Sequence, residues 1–274
     1  MNDFLDMFSL SGKTTVITGG AGILGRDIAK NLGKAGARIA ICDIADTREF
    51  IAELNSEGID ASGYYIDVMD KDKIMTCHDE VLADFGKIDI LVSAAGGNQK
   101  AATTSEELSF FDLPLDALEK VVALNLFGGA MLPAQVFGKT MAGNKQGGSI
   151  INISSMNAFR PLTRIPGYSA AKAAVSNFTQ WLAVHFAQEY NKNLRVNAIA
   201  PGFFLTRQNH FLLFDKDENL TDRGQSIISH TPMERFGKPE DLAGVCIWLA
   251  SDASRFVSGI VVPIDGGFSA FSGV

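Results

Sequence analysis

Cysteine is scarce in this 274-residue chain: Cys42, Cys77 and Cys246 stand far apart among apolar neighbours, with no Cys-x-x-Cys spacing. That scarcity excludes a disulfide framework and a cysteine-rich zinc site, and it predicts buried, reduced thiols in a cytoplasmic protein. Histidine is equally sparse, with four residues, and no His/Cys/Asp group has metal-site spacing, so no metal is expected. A block of basic residues is missing as well. With 24 Lys and Arg against 31 Asp and Glu, the formal charge of −7 argues against nucleic acid as a partner. No apolar run approaches the ~20 residues of a membrane span. The opening MNDFLDMFSL carries two acids and no basic stretch, so neither insertion nor export is expected. Repeats and low-complexity tracts are absent too, and a 46% hydrophobic chain of this length can bury one core, which predicts a single domain over 1–274.

What the chain does have is alternation. Short β-branched runs at 14–18, 38–42, 64–66, 88–93, 149–154, 194–200 and 260–265 are separated by helical patterns at 23–35, 46–57, 70–85, 112–143, 167–190 and 239–250. Such βα repetition predicts an α/β fold, a doubly wound parallel sheet of the Rossmann type with helices on both faces. Only 203–235 lacks a clear period. It mixes FFL and FLLF with charges and prolines, and a span that long predicts a substrate lid.

Residues 15–43, TVITGGAGILGRDIAKNLGKAGARIAICD, form a strand, a glycine turn, a helix and a second strand ending in an acid. Glycines 19, 22 and 25 allow a sharp turn and the approach of a pyrophosphate to the helix start, where Ile23 and Leu24 offer backbone amides. Asp43 lies 18 residues past Gly25, where an acid meets the adenosine ribose, with Ile44 beside it. Its charge repels the extra phosphate of NADP, and no basic residue follows it directly. NAD(H) is therefore the expected cofactor over NADP, with Arg26 and Arg48 the two cations in range of such a phosphate.

In the stretch SMNAFRPLTRIPGYSAAK, strand 149–154 carries Ser155 to the carboxyl edge of the sheet, where ligands bind in this architecture. Tyr168 opens a helix and Lys172 follows four residues later on the same face. A cation beneath the phenol and the positive nicotinamide ring of an oxidised cofactor favour the phenolate, so Tyr168 is expected to act as acid toward a ketone or base toward an alcohol, with Ser155 holding the reacting oxygen.

In order along the chain, these pieces resemble the short-chain dehydrogenase/reductase family. They are the glycine turn from Thr18 and Gly19 to Gly25, Asp67 and Val68 in IDV, Ala94, Ala95 and Gly96 after the fourth strand, Asn125 in LNLFG, then Ser155, Tyr168 and Lys172, and PGFFLT from Pro201 through Gly202 and Phe204 to Thr206. The resemblance implies that Asn125 anchors a water in a relay to Lys172, that Thr206 meets the nicotinamide carboxamide, and that the protein is a homotetramer. Two departures stand out. The family's middle glycine falls where this chain has Ile23, with Gly22 one place earlier, and the usual NNAG reads Ser93-Ala94-Ala95-Gly96.

The family signature leaves the small-molecule substrate open. Asn157, Arg160 and Arg164 lie between Ser155 and Tyr168, and Asn98, Lys100, Arg207 and His210 fall near the expected mouth. Arginines converging on a cleft suit an anionic, polyhydroxylated substrate. The stretch from Ser154 to Ala187, with HTPMERFG at 230–237, is similar to bacterial family members described as D-mannonate oxidoreductases, which reduce D-fructuronate with NADH. A gluconate 5-dehydrogenase or a 3-oxoacyl carrier-protein reductase uses the same catalytic residues, and a non-catalytic dinucleotide sensor is the alternative from another class.

Overall fold

A computed structural model describes residues 3–205 and 210–273. Among them, seven parallel strands form one sheet: β1 (Thr14–Thr18), β2 (Arg38–Asp43), β3 (Ala61–Tyr65), β4 (Ile90–Ser93), β5 (Gly148–Ile153), β6 (Leu194–Pro201) and β7 (Val261–Ile264). Their order is β3-β2-β1-β4-β5-β6-β7, so the strand order reverses between β1 and β4. At that gap, helices leave the carboxyl edge toward opposite faces and open the crevice in which doubly wound folds bind ligands.

The central strands are buried on both sides, which explains their near-continuous apolar runs. One face is covered by α1 (Ile23–Lys34) and α2 (Arg48–Ser56), joined near the far end of the chain by Leu242, Cys246 and Leu249. The opposite face is covered by α3 (Lys71–Phe85), α4 (Leu115–Ala142) and α5 (Pro166–Glu189), through Ile74, Cys77, Phe137, Met141, Leu182 and Phe186. Local signals set several ends. Asp70 caps α3 by accepting from the amides of Asp72 and Lys73, and Gly86 closes it in the left-handed region. Pro166 starts α5, where its missing N–H costs nothing.

The third strand departs from the expected 64–66. Ser62 and Gly63 carry no β propensity, yet the open edge of β2 from Ile39 to Asp43 pairs with Ala61–Tyr65 and imposes the strand. The last helical pattern divides into a tight turn at Pro239–Leu242 and an α-helix at Ala243–Ala250.

Length and composition would let α4 cross a bilayer, although no continuous apolar run reaches that length. Half of its apolar window is buried in the fold, as in an ordinary core helix. Its middle, Ala123–Met131, winds as a π-helix. The three cysteines are buried and unpaired, and burial pushes the thiols of Cys42 and Cys246 up, the latter to about 12.

Candidate active site

Lys172 is the buried cation of the site, 4% exposed, and its Nζ donates to the carbonyl oxygen of Ile153 at 2.7 Å. One turn earlier on α5, Tyr168 places its ring centroid 5.6 Å from that Nζ. Ser155, just past β5, lies beside the Tyr168 hydroxyl, and its Oγ accepts from the Asn157 amide at 3.2 Å. Ser154 fastens the strand end to the helix by donating to the Lys172 carbonyl at 3.1 Å and bonding Ser176 at 2.7 Å.

The charges behave differently from the sequence argument. Burial pushes Tyr168 above the ordinary phenol value, opposed by the neighbouring Ser155 hydroxyl, and Lys172 is not among the causes. Burial also lowers Lys172, to about 8. With nothing bound, Tyr168 therefore holds its proton at neutral pH.

Asn125 is fully buried in the π-helical part of α4, and its side chain grips the loop after β4. Its Nδ2 donates to the carbonyls of Gly97 (2.7 Å) and Val121 (2.8 Å), and its Oδ1 accepts from the Gly97 amide at 3.1 Å. A Cβ on Gly96 would stand 2.7 Å from that Oδ1 and 3.4 Å from the Lys172 Nζ, so only glycine lets this loop pass. Gly97 escaped the sequence reading although it adjoins Gly96. The acceptor for Lys172, a backbone carbonyl, leaves no mark in a sequence.

The glycine turn is built for a close approach. Gly19 has φ +67°, and a Cβ there would meet the Ala95 amide at 2.6 Å; at Gly25 it would meet the Gly20 Cα at 2.9 Å. Gly22 sits at the N-cap of α1 with φ −70°, a conformation open to any residue, and no side chain caps the helix. The amides of Ile23, Leu24 and Gly25 thus lack both an intrahelical acceptor and a side-chain cap, the arrangement that receives a phosphate.

Asp43 closes β2 with one carboxylate oxygen on the Ala21 amide and the other on the Ala45 amide, each at 2.9 Å, and Ile44 is exposed beside it. Asp67 accepts from the Met69 amide at 2.9 Å, and Val68 packs under α4 at Gly128. Thr18 and Ser93 face each other across β1 and β4, both fully buried, their hydroxyls without a hydrogen-bond partner. Pro201 and Gly202 end β6 at the same edge of the sheet, where Gly202 crowds Asp265. Phe204 is buried, and its backbone bridges to Gly237. A dinucleotide fits this set: the turn, the uncapped helix start and an acid at the end of β2 lie on one edge of the sheet.

Around the mouth, the structure sorts the polar candidates. Asn157 is buried and its Oδ1 accepts from the Leu162 amide at 2.9 Å, bracing the loop from inside. Asn98 donates to Thr103 at 2.8 Å. Thr104 donates its amide to the Arg164 carbonyl at 2.9 Å, tying the segment after β4 to the serine–tyrosine loop. Arg160 and Arg164 are exposed, and neither forms an ion pair among the described residues. His210 pairs with Glu218 at 3.2 Å and stacks on Phe214. Thr206 and Arg207 lie outside the described residues. No cluster of potential metal ligands occurs among the described residues.

Comparison with known proteins matches residues 19–269 to a family model described as enoyl-(acyl carrier protein) reductase. An uncharacterized oxidoreductase of Bacillus subtilis is 46% identical over 277 residues, covering 97% of this chain and 98% of that protein. A 2-dehydro-3-deoxy-D-gluconate 5-dehydrogenase of Dickeya dadantii is 34% identical over 266 residues, covering 97% and 99%. Among solved structures, a Haemophilus influenza protein named for D-mannonate oxidoreductase activity, with bound NAD, superposes with a TM-score of 0.90 at 46% identity, covering 97% of this chain and 98% of its own.

Proposed function

Since the chain belongs to the short-chain dehydrogenase/reductase family and is an NAD(P)-dependent oxidoreductase, we propose that it moves hydride between NAD(H) and the carbonyl or secondary alcohol of a sugar acid, of the D-fructuronate/D-mannonate kind. The observation that carries the substrate reading is the pair of exposed arginines, Arg160 and Arg164, on the loop between Ser155 and Tyr168, neither ion-paired with a carboxylate among the described residues. The relatives named for sugar acids support the same class.

In the reducing direction the substrate oxygen accepts hydrogen bonds from Ser155 and Tyr168. A bound reduced nicotinamide supplies the hydride. Tyr168, which holds its proton at neutral pH, delivers it to the oxygen as the alcohol forms; in the oxidising direction it takes the proton back. The buried Lys172 stabilises the phenolate left behind. Asn125 keeps the Gly96–Gly97 backbone against this group. A water carried by the π-helical stretch and relaying protons to Lys172 belongs to the same proposal. So does the preference for NAD(H), which rests on Asp43 at the end of β2 with no cation paired to it among the described residues.

Two features of the assembly are part of the reading. Residues 203–235 act as the substrate lid, with Leu213 and Ile227 packed on the adjoining Phe236 as a small core apart from the main one. The family resemblance implies a homotetramer, and a groove of about 630 Å³ between α4 and α5, lined by Phe178, Trp181, His185 and Tyr190, is the apolar face at which a second copy packs.

The test is turnover of purified protein with NADH and NADPH against hexuronate-type keto acids, hexonates and neutral ketoses of equal size. Oxidoreduction confined to neutral compounds overturns the sugar-acid reading.

A further inference from the structure

The Ala21 peptide backbone is held from two sides. Its amide donates to Asp43 Oδ2 at 2.9 Å, and its carbonyl accepts from Arg26 Nε at 3.1 Å. Arg26 is held in turn, its guanidinium carbon 4.5 Å above the ring of Phe50, a residue only 2% exposed in the core beneath α2. One residue of backbone thus separates the acid at the ribose end from the nearest guanidinium. That guanidinium is committed to a carbonyl and an aromatic face.

We propose that Phe50 and Arg26 form a latch that sets cofactor choice: the cation next to the ribose site is withheld from any phosphate carried there. The inference rests on the NAD(H) reading above and extends it to residues outside the site. A 2′-phosphate meets the Asp43 carboxylate. Arg26 could offset that repulsion only by giving up both its hydrogen bond and its stacking, whose combined loss opposes the swing. The other cation in this region, Arg48, pairs with Asp46 at the exposed surface through a 2.6 Å contact. Discrimination therefore has two parts, a repulsive acid and a restrained base, and removing the acid alone leaves the second in force.

The experiment compares kcat/KM for NADPH and NADH in the parent, in Asp43→Ser, in Asp43→Ser with Phe50→Leu, and in that double variant with Arg26→Gln. Circular dichroism and thermal unfolding check each for folding. Phe50→Met, of similar volume, replaces Phe50→Leu should the latter not fold. The latch predicts a modest NADPH gain from Asp43→Ser alone and a further gain of about tenfold when Phe50 is changed, the scale of one hydrogen bond to a charged group. That second gain should disappear with Arg26→Gln. A purely structural role for Phe50 would lower both cofactors together and leave the ratio unmoved. An NADH-preferring parent without the Phe50-dependent gain, or with a gain that survives Arg26→Gln, overturns the latch alone. A parent that uses both cofactors equally overturns the NAD(H) reading and the latch with it.

Discussion

Lys172 and Ile153 are joined by a 2.7 Å bond from ammonium to backbone carbonyl, and no carboxylate lies within ion-pair distance of that ammonium among the described residues. The charge is therefore held by a dipole in a buried place, which costs stability and shapes the pH response.

Burial lowers Lys172 from the usual 10.5 to about 8. Between those values the unfolded chain binds more protons than the folded one, so this group's contribution to stability rises with pH across the window and its penalty is full below about 8. The penalty is on the order of 3 kcal/mol. Lys172→Met removes it, so the stability difference between variant and parent should shift in the parent's favour from pH 8 to 10.5. A difference that stays constant over that range, measured by urea unfolding, contradicts the assignment.

Tyr168→Phe keeps the ring and deletes the proton. Turnover should fall by the ~10²–10⁴-fold of a lost general acid, with NADH affinity near the parent's. Because burial raises the phenol, the parent's ketone-reduction rate should be flat through neutral pH and decline only in the alkaline range. Stopped-flow rates against pH, with fluorescence titration of NADH, check both.

Asn125→Ala removes two bonds to the part-buried Gly97 peptide and a third to the Val121 carbonyl. A loss of about 1–3 kcal/mol in unfolding free energy is expected, at roughly 0.5–1.5 kcal/mol for each hydrogen bond lost. kcat should fall as well, since the loop against Lys172 loosens. Unchanged denaturant midpoints would show that the grip carries no energy.

Arg164→Ala, or Arg160→Ala should Arg164 prove silent, should raise KM for the best anionic substrate roughly 10- to 150-fold, the range of a charged hydrogen bond of about 1.5–3 kcal/mol. A neutral ketose should be poor for parent and variants alike. If both variants keep the parent's kcat/KM on the anion, the arginines serve the loop.

The strand–helix alternation, the glycine turn and the serine, tyrosine and lysine were legible because they are written as periodicity and as side-chain chemistry. The third strand was misplaced because Ser62 and Gly63 adopt strand structure only through the edge offered by β2. Helical spacing shows a cation near the tyrosine, whereas the burial that opposes the phenolate is a property of the whole fold and is not written in the spacing. The bond by which Asn157 braces its own loop was not legible, since one position of a polar residue in a loop says nothing about which way it turns. The partners of Lys172 and Arg26 are backbone carbonyls, which carry no residue identity to read.

The wide winding of α4 lies between two ordinary helical stretches, and Asn125 sits inside it. Its buried positions nevertheless run on unbroken, with Val121, Asn125, Gly129, Pro133, Phe137 and Met141 at intervals of four. One helix therefore carries at one end the side chain that grips the Gly97 loop and at the other the side chains packed on the sheet. Deleting a single residue between 126 and 129 would rotate one end by about 100° relative to the other, so the grip and the packing could not both be kept. Such a deletion is far costlier than a substitution at the same place.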